Sequence, residues 1–300
     1  ESDFRAQNAT KPPKINEFIK ISSKYDAIFT NPNKLEFYLG SKTIRNIGRL
    51  KVICTASTGT DHIDIEYFKK KGIKILSLTK DLKLLNKLSA TSELAFAFTL
   101  LSIRDVLNSN SAVKNGFWDY TKFIGNQLSN MNIGIIGYGR LGKMFANYCN
   151  AFNAKVYIYD PYKKIPDKYI KVNKIENVFK TCDVVSLHLH LNEKSRNLIN
   201  YKLFNLSKNN LKLINTSRGG IVKEKDLINF LKKNKSAKYF SDVINNEYQN
   251  NKKKNKLIKF MKSTKQIIIT PHIGGMTIES QTLAFNFAAK KLTKFFRDNK

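Results

Sequence analysis

The segment Asn132-Ile-Gly-Ile-Ile-Gly137-Tyr-Gly139-Arg-Leu-Gly142 narrows the possible folds more than any other stretch of this 300-residue chain. An apolar run of strand length leads into three glycines at G-x-G-x-x-G spacing, and a helical pattern, Arg140–Phe152, follows. A second apolar run ends in Asp160, eighteen residues beyond Gly142. Each part has a physical task. Gly137 permits the tight turn, Gly139 lets a pyrophosphate reach the backbone, and Gly142 allows helix and strand to pack closely. The helix start offers unpaired N–H groups to phosphate, and Asp160 accepts hydrogen bonds from a ribose diol. A lone glycine fingerprint is easily met by chance. With strand, helix and acid all in place it reads as a dinucleotide site. Asp160 also repels a ribose 2′-phosphate, which favours NAD over NADP, a preference tempered by Lys163 and Lys164.

The rest of the chain fits that unit into a larger α/β pattern. Early strand candidates are Asp26–Thr30, Leu50–Thr55 and Ile73–Leu78, with a helical stretch Ile63–Lys71 that stops at Gly72. A long helix is expected over Ala90–Asn108, apolar on most sides and therefore buried. From Asn132 onward six strands alternate with helices: Asn132–Ile136, Lys155–Tyr159, Asp183–Leu187, Leu211–Asn215, Lys238–Asp242 and Gln266–Thr270. Such alternation predicts parallel, doubly wound sheets. Gln249–Lys256 reads as a polar surface loop and Thr277–Phe296 as one amphipathic helix. A short strand at Asp3–Ala6 is possible, and a leading strand–helix unit is expected to be missing.

Composition bounds the partners. Lys+Arg number 53 and Asp+Glu 23, for a net charge of +30, but only eight of the basic residues are arginine. Arginine is the residue of bidentate base and phosphate recognition, so a solvated lysine surface is expected rather than a nucleic-acid face. Three cysteines without C-x-x-C spacing argue against a disulfide framework or a zinc site and fit a reducing cytoplasm. No apolar run approaches the length of a membrane helix, so no membrane partner is expected.

Three further motifs follow predicted strands, where open α/β sheets place their chemistry. They are Asn215-Thr216-Ser217-Arg218-Gly-Gly, Asp242 with Glu247 five residues on, and Thr270-Pro-His272-Ile-Gly274-Gly275. Histidine, with an ordinary pKa of ~6.5, suits proton transfer near neutrality. A carboxylate beside it orients the ring, and an arginine can clamp a carboxylate and polarise an adjacent carbonyl.

Taken in order, these pieces resemble the D-isomer-specific 2-hydroxyacid dehydrogenases, closest to their D-3-phosphoglycerate dehydrogenase branch. The resemblance is carried by Ser57-Thr-Gly-Thr-Asp-His-Ile-Asp64, the Gly137 fingerprint, Asp183-Val-Val-Ser-Leu-His188, Ile214-Asn-Thr-Ser-Arg-Gly-Gly220, Asp242-Val with Glu247, and Thr270-Pro-His-Ile-Gly-Gly-Met-Thr-Ile-Glu279, over roughly residues 24–296. It implies two Rossmann- or flavodoxin-like domains with a cleft between them. Residues 1–103 plus 276–300 would form the substrate domain and residues 104–275 the NAD-binding domain. It implies His272 as acid/base, Glu247 as its carboxylate partner and Arg218 as substrate anchor. Asp242 would orient the nicotinamide carboxamide, Arg140 and Leu141 would contact the pyrophosphate through their backbone, and Thr216, Ser217, Gly274 and Gly275 would line the nicotinamide. Thr58 and Gly59 would hold the substrate carboxylate through their amides. The activity implied is hydride transfer between NAD and C2 of a small anionic 2-hydroxy or 2-oxo acid, in a homodimer. Alternatives are a corepressor-like dinucleotide sensor of the same fold and an inactive truncated relative. The chain departs from the family pattern at His190 and Tyr248, which stand where proline is usual, at the loop 249–256, and at Thr30-Asn-Pro-Asn33, where an arginine is common.

Other chemistry-bearing residues read as structural. His188 and His190 alternate along a strand end, which argues against a metal pair, and no metal site is expected. His62 is expected to cap or pack at a helix start, Glu93 to form a structural pair, Trp118 to pack in the linker between domains, and Cys149 and Cys182 to lie in the core.

Overall fold

The structure, a computed structural model, describes residues 16, 18–19, 22–31, 38–247 and 255–299. The chain divides into two compact units, one drawn from Glu1–Lys87 and Ile278–Lys300, the other from Leu88–Glu247 and Asn251–Thr277. The expected strand at Asp3–Ala6 and the loop 249–254 lie outside the described residues.

The larger unit is a seven-stranded parallel sheet. Its strands are β4 (Asn132–Ile136), β5 (Lys155–Tyr159), β6 (Ile170–Lys171), β7 (Val184–Leu187), β8 (Lys212–Asn215), β9 (Lys238–Ser241) and β10 (Ile267–Ile269), in the order β10-β9-β8-β7-β4-β5-β6. Successive residues face opposite sides of a strand, and both sides are buried here. Ile133, Ile135, Val184, Ile214 and Phe240 pack into one core, with the helices Ala90–Arg104 and Arg140–Ala151. Ile136, Val185, Leu213, Tyr239 and Ile267 pack into the other. That two-sided burial is why the strands read as continuous apolar runs. The order reverses between β4 and β7, and the glycine turn after β4 sits at this switch point.

In the smaller unit β1 (Ala27–Thr30), β2 (Val52–Thr55) and β3 (Lys74–Leu76) pair in parallel, in that order. The C-terminal helix Ile278–Asp298 packs on them. Ala284, Ala288 and Leu292 are buried, Cys54 donates to the Ala288 carbonyl at 3.4 Å, and Lys291 reaches both the Ser77 carbonyl and Asp81 at 2.7 Å.

Several expectations need correction. The helix expected over Ala90–Asn108 ends at Arg104; Asp105 turns left-handed at φ +49° and a second helix, Val106–Lys114, begins. Aspartate tolerates that conformation, and here its carboxylate takes an ion pair from Lys238 at 2.7 Å and a hydrogen bond from Asn108 at 2.7 Å. Trp118 does not pack between domains; it is 86% exposed. Glu93 is exposed in the first turn of its helix rather than buried in a pair. The cap of helix Ile65–Lys70 is Asp64, which accepts from Tyr67 N–H, while His62 is fully buried and bonded to Thr55 Oγ1 at 3.2 Å. Cys149 and Cys182 do lie in the core, as does Cys54. Burial pushes the Cys54 thiol up to about 11 and that of Cys182 up to about 12, so neither carries thiolate at neutral pH. Burial likewise drives His188 down to about 3, with Nε2 bonded to Ser186 Oγ at 2.9 Å, a neutral histidine of the interior. Among the described residues no helix is long and apolar enough to cross a membrane, and no cluster of ligands could hold a metal ion.

Candidate active site

The turn after β4 is built for close backbone approach. Gly137 has φ +96°, and a Cβ there would meet the His188 carbonyl oxygen at 2.4 Å. A Cβ on Gly142 would lie 2.1 Å from the Gly137 carbonyl oxygen. Only Gly139 faces open space, with nothing within 4 Å of its Cβ position. It is also the N-cap of helix Arg140–Ala151, and no side chain caps the first turn. The first-turn N–H groups are therefore left for an anion, with room above Gly139 for it. The Arg140 guanidinium donates to the Leu88 carbonyl, and the Leu141 carbonyl accepts from Ser92 Oγ at 3.1 Å, which anchors this end of the helix.

Asp160 follows β5 and is half-buried. Its Oδ2 accepts from Tyr138 N–H at 2.7 Å and its Oδ1 from Tyr162 N–H at 2.8 Å. The carboxylate is thus fixed beside the glycine turn, with lone pairs left for a diol. Thr216 supplies a second sign of fit. Its hydroxyl is buried without a hydrogen-bond partner among the described residues, as a group awaiting a ligand would be. Residues of this unit therefore fit a dinucleotide.

The carboxyl ends of β8, β9 and β10 bring three loops together. His272 Nδ1 lies 2.9 Å from Glu247 Oε1, both side chains being largely buried at 23% and 14% exposure. His272 itself is left-handed at φ +58°, which costs a non-glycine residue about 1–3 kcal/mol and persists only where neighbours impose it. Asp242 imposes it. Its carbonyl accepts from His272 N–H at 2.9 Å, its Oδ1 from Ile273 N–H at 2.7 Å and Thr270 Oγ1 at 2.5 Å, and its Oδ2 from Gly274 N–H at 2.7 Å. Charge-assisted bonds of this kind contribute about 1.5–3 kcal/mol each, enough together to outweigh the strain. Burial raises the Asp242 carboxyl above the usual range, and these donors pull it back. A nicotinamide carboxamide would have to share an oxygen that the loop already uses. Gly274 is required here, because its Cβ would come within 2.9 Å of Asp242 Oδ2; Gly275 has open space at the same position.

Arg218 follows β8, and its Nη1 donates to the Ser217 carbonyl at 2.7 Å. Ser217 Oγ ties β8 to β7 by donating to the Leu187 carbonyl at 2.6 Å and accepting from Leu189 N–H. Sequence reasoning missed the network beneath this turn. Asn215 Nδ2 donates to the Arg218 carbonyl at 3.1 Å and to Tyr239 Oη at 3.3 Å; Tyr239 donates to Ser241 Oγ at 3.0 Å, and Ser241 donates to the Val243 carbonyl at 2.7 Å. All three side chains are fully buried. Their only trace in the sequence is polar residues within otherwise apolar strands. Gly219 closes the arrangement, since a Cβ there would lie 2.0 Å from the Ile244 carbonyl carbon.

Thr58 and Gly59 belong to the smaller unit. Their carbonyls are occupied, by Thr79 Oγ1 at 2.8 Å and Ser57 Oγ at 2.6 Å. Thr55 Oγ1, between Ser57 and the buried His62, braces the loop from below at 2.8 and 3.2 Å.

With this geometry in view, the comparisons with known proteins agree on one family. The family described as D-isomer specific 2-hydroxyacid dehydrogenase, NAD binding domain, matches residues 96–274. A hydroxypyruvate reductase of Thermotoga maritima is 31% identical over 77% of this chain and 73% of its own length. A D-3-phosphoglycerate dehydrogenase of Methanocaldococcus jannaschii is 31% identical over 86% of this chain, which spans about half (48%) of that relative. Among solved structures, the D-lactate dehydrogenase of Aquifex aeolicus complexed with NAD and lactic acid superimposes with a TM-score of 0.81 at 27% identity, over 95% of this chain and 86% of that one.

Proposed function

The chain belongs to the D-isomer-specific 2-hydroxyacid dehydrogenases, NAD-dependent oxidoreductases, and from that premise we propose that it reduces a small 2-oxo acid to the D-2-hydroxy acid, with a phosphorylated three-carbon acid as the preferred substrate. The observation that carries the reading is the His272 Nδ1–Glu247 Oε1 pair at 2.9 Å, set at the carboxyl ends of the sheet strands. We assign the larger unit to NAD and the smaller one to the substrate. Gly137, Gly139 and Gly142, the first-turn amides of Arg140 and Leu141, and Asp160 hold the dinucleotide, while Thr216, Ser217, Asp242, Gly274 and Gly275 frame its nicotinamide end. Bound NADH supplies the hydride that adds to C2. His272 gives its Nε2 proton to the C2 oxygen as charge develops there, and Glu247 at Nδ1 fixes the ring and stabilises the imidazolium. Arg218 pairs with the substrate carboxylate and polarises the neighbouring carbonyl, and within the smaller unit the amides of Thr58 and Gly59 are assigned to the substrate. The reverse reaction uses the same groups, with His272 accepting the proton. The phosphoglycerate-like substrate is supported by the Methanocaldococcus relative and by a surface of net charge +30, which draws a multiply charged anion more strongly than a singly charged one.

The test is the loss of NADH absorbance with a panel of 2-oxo acids, including 3-phosphohydroxypyruvate, hydroxypyruvate and glyoxylate. We expect turnover, fastest per unit concentration with the phosphorylated acid. A preference for hydroxypyruvate or glyoxylate would overturn the substrate and leave the chemistry; NADH binding with no turnover of any acid would favour the sensor reading instead.

We further propose a homodimer formed through residues 106–124. Helix Val106–Lys114 buries none of its residues, and Phe117, Trp118, Tyr120 and Ile124 beyond it are 65%, 86%, 83% and 85% exposed. Apolar surface of that extent marks an interaction site. The occupant we propose is a second copy, because two like-charged chains meet with less repulsion through a stretch that carries little charge. On a chain of net charge +30, the stretch from Val106 to Trp118 carries a single charged residue, Lys114, and the next, Asp119, is paired with Lys122 at 3.4 Å. Sedimentation of the wild type is expected to give a dimer and of Trp118→Glu a monomer. A monomeric wild type at micromolar concentration would remove the proposal.

A further inference from the structure

The carboxylate of Glu224 is assigned no part in the chemistry, yet it grips the chain that delivers Glu247. Glu224 opens helix Glu224–Lys233, and its Oε1 accepts from Asn245 N–H at 2.9 Å, two residues before Glu247. Asn255 Nδ2 makes longer contacts with the same carboxylate, 3.3 Å to Oε2 and 3.5 Å to Oε1. Asn255 is itself fixed, because its Oδ1 caps helix Lys256–Met261 by accepting from Leu257 and Ile258 N–H at 2.8 and 3.1 Å. One carboxylate thus joins Asn245 to Asn255, residues ten apart in the chain.

The backbone between Asn245 and Glu247 needs such a hold. Asn246 is left-handed at φ +56°. Asparagine enters that region more readily than most residues, but at a cost that surrounding structure has to offset. Gly219 meets this backbone, its lack of a side chain letting Ile244 and Asn245 approach, and Glu224 holds it through Asn245 N–H. Burial raises the Glu224 carboxyl above the ordinary range, and the donors from Asn245 and Asn255 oppose that rise. A half-buried carboxylate kept in place by a backbone amide is suited to holding a loop rather than to meeting solvent.

We propose that Glu224 is a positioning residue for the His272–Glu247 pair, fixing the backbone from Asn245 to Glu247 so that the Glu247 carboxylate meets His272 Nδ1. The inference rests on the reading of His272 as the proton donor. A carboxylate at Nδ1 stabilises the imidazolium that donates from Nε2 and keeps the remaining proton on Nδ1 once Nε2 has given up its own. Releasing Asn245 lets Glu247 drift, and a misplacement of about 1 Å can cost on the order of 100-fold in rate.

Two measurements on the full chain test this. Ring nitrogen NMR reads the His272 tautomer in the wild type, Glu224→Ala, Glu224→Asp and Glu247→Gln. The wild type is expected to hold the Nδ1–H form, and both Glu224 variants to lose that preference as Glu247→Gln does. The aspartate variant keeps the charge in the helix's first turn but is too short to reach Asn245 N–H, so it decides the matter if the alanine variant fails to fold. Steady-state reduction of a 2-oxo acid should show kcat down about 10- to 100-fold with NADH affinity retained. In a Glu247→Gln background, removing Glu224 should cost nothing more, because both changes act through one carboxylate. Retention of the Nδ1–H tautomer in both Glu224 variants would overturn the proposal, as would losses that multiply in the double variant. The tautomer is read without turnover, so a wild type that reduces no 2-oxo acid would end the enzyme reading while this comparison still decides Glu224.

Discussion

Replacing His272 with alanine is expected to cut the rate of 2-oxo acid reduction by about 10²–10⁴-fold while leaving NADH binding intact, the span that general acid–base catalysis contributes. The expectation follows from where the side chain sits and what holds it. The imidazole meets Glu247 at 2.9 Å, and its backbone is held in a left-handed conformation by Asp242. Removing the ring leaves the dinucleotide turn after β4 untouched, so NADH should still raise the melting midpoint as a ligand of the native state does. It also strips Glu247, 14% exposed, of its partner, which should lower the midpoint of the free protein. Glu247→Gln should fall between wild type and His272→Ala, since the ring remains in place but loses its charged partner. The measurement is kcat/KM with the best acid of the panel, beside an NADH titration of each variant. A His272→Ala protein that turned over within about threefold of wild type would exclude this histidine as the proton donor. Loss of NADH binding in the same variant would mean that the loop, and not the proton, had been lost.

Legibility in the sequence followed physical cause. The strands of the larger unit were readable because burial on both faces makes them continuous apolar runs, Asn132–Ile136 and Val184–Leu187 among them. The glycine turn was readable because close backbone contact excludes every other residue at Gly137 and Gly142. The helix break at Asp105 was not. It coincides with an ion pair between Asp105 and Lys238, 133 residues away, which no local pattern contains. The strand Ile170–Lys171 was missed because two exposed edge residues carry no period. Trp118 was misplaced because an aromatic residue between domains is ordinarily taken as packed, and the chain alone does not say that its surface faces outward. The same limit applies to the candidate site. His272, Glu247 and Arg218 stand in motifs, whereas Asn215, Tyr239, Ser241 and Glu224 act through partners that only the fold brings near.

Alanine at Gly139 and at Gly142 should separate binding from folding within one turn. Gly142→Ala sets a Cβ 2.1 Å from the Gly137 carbonyl oxygen, a backbone-to-backbone clash that no rotamer relieves. The helix Arg140–Ala151 must move away from β4, and overpacking of this kind costs about 1–3 kcal/mol. The melting midpoint of the free protein should drop by several degrees, on the order of 2–4 °C per kcal/mol for a unit of this size. NADH binding should weaken with it, because the displaced helix carries the first-turn amides. Gly139→Ala is different. Nothing lies within 4 Å of its Cβ position, and φ −74° with ψ −165° suits alanine. The free protein should therefore melt within about 0.5 kcal/mol of wild type, as substitutions without a structural cause usually do. Yet the added methyl stands in the space assigned to the pyrophosphate, so NADH affinity should fall at least about 100-fold, a loss of some 2.8 kcal/mol. Calorimetric titration with NADH, beside melting curves of both free variants, makes the comparison. Unchanged NADH affinity in Gly139→Ala would show that the dinucleotide does not pass over this glycine, and the assignment of the turn would fall. A destabilised Gly139→Ala protein would show instead that the space above the turn is closed in solution, and binding would then require the turn to open first.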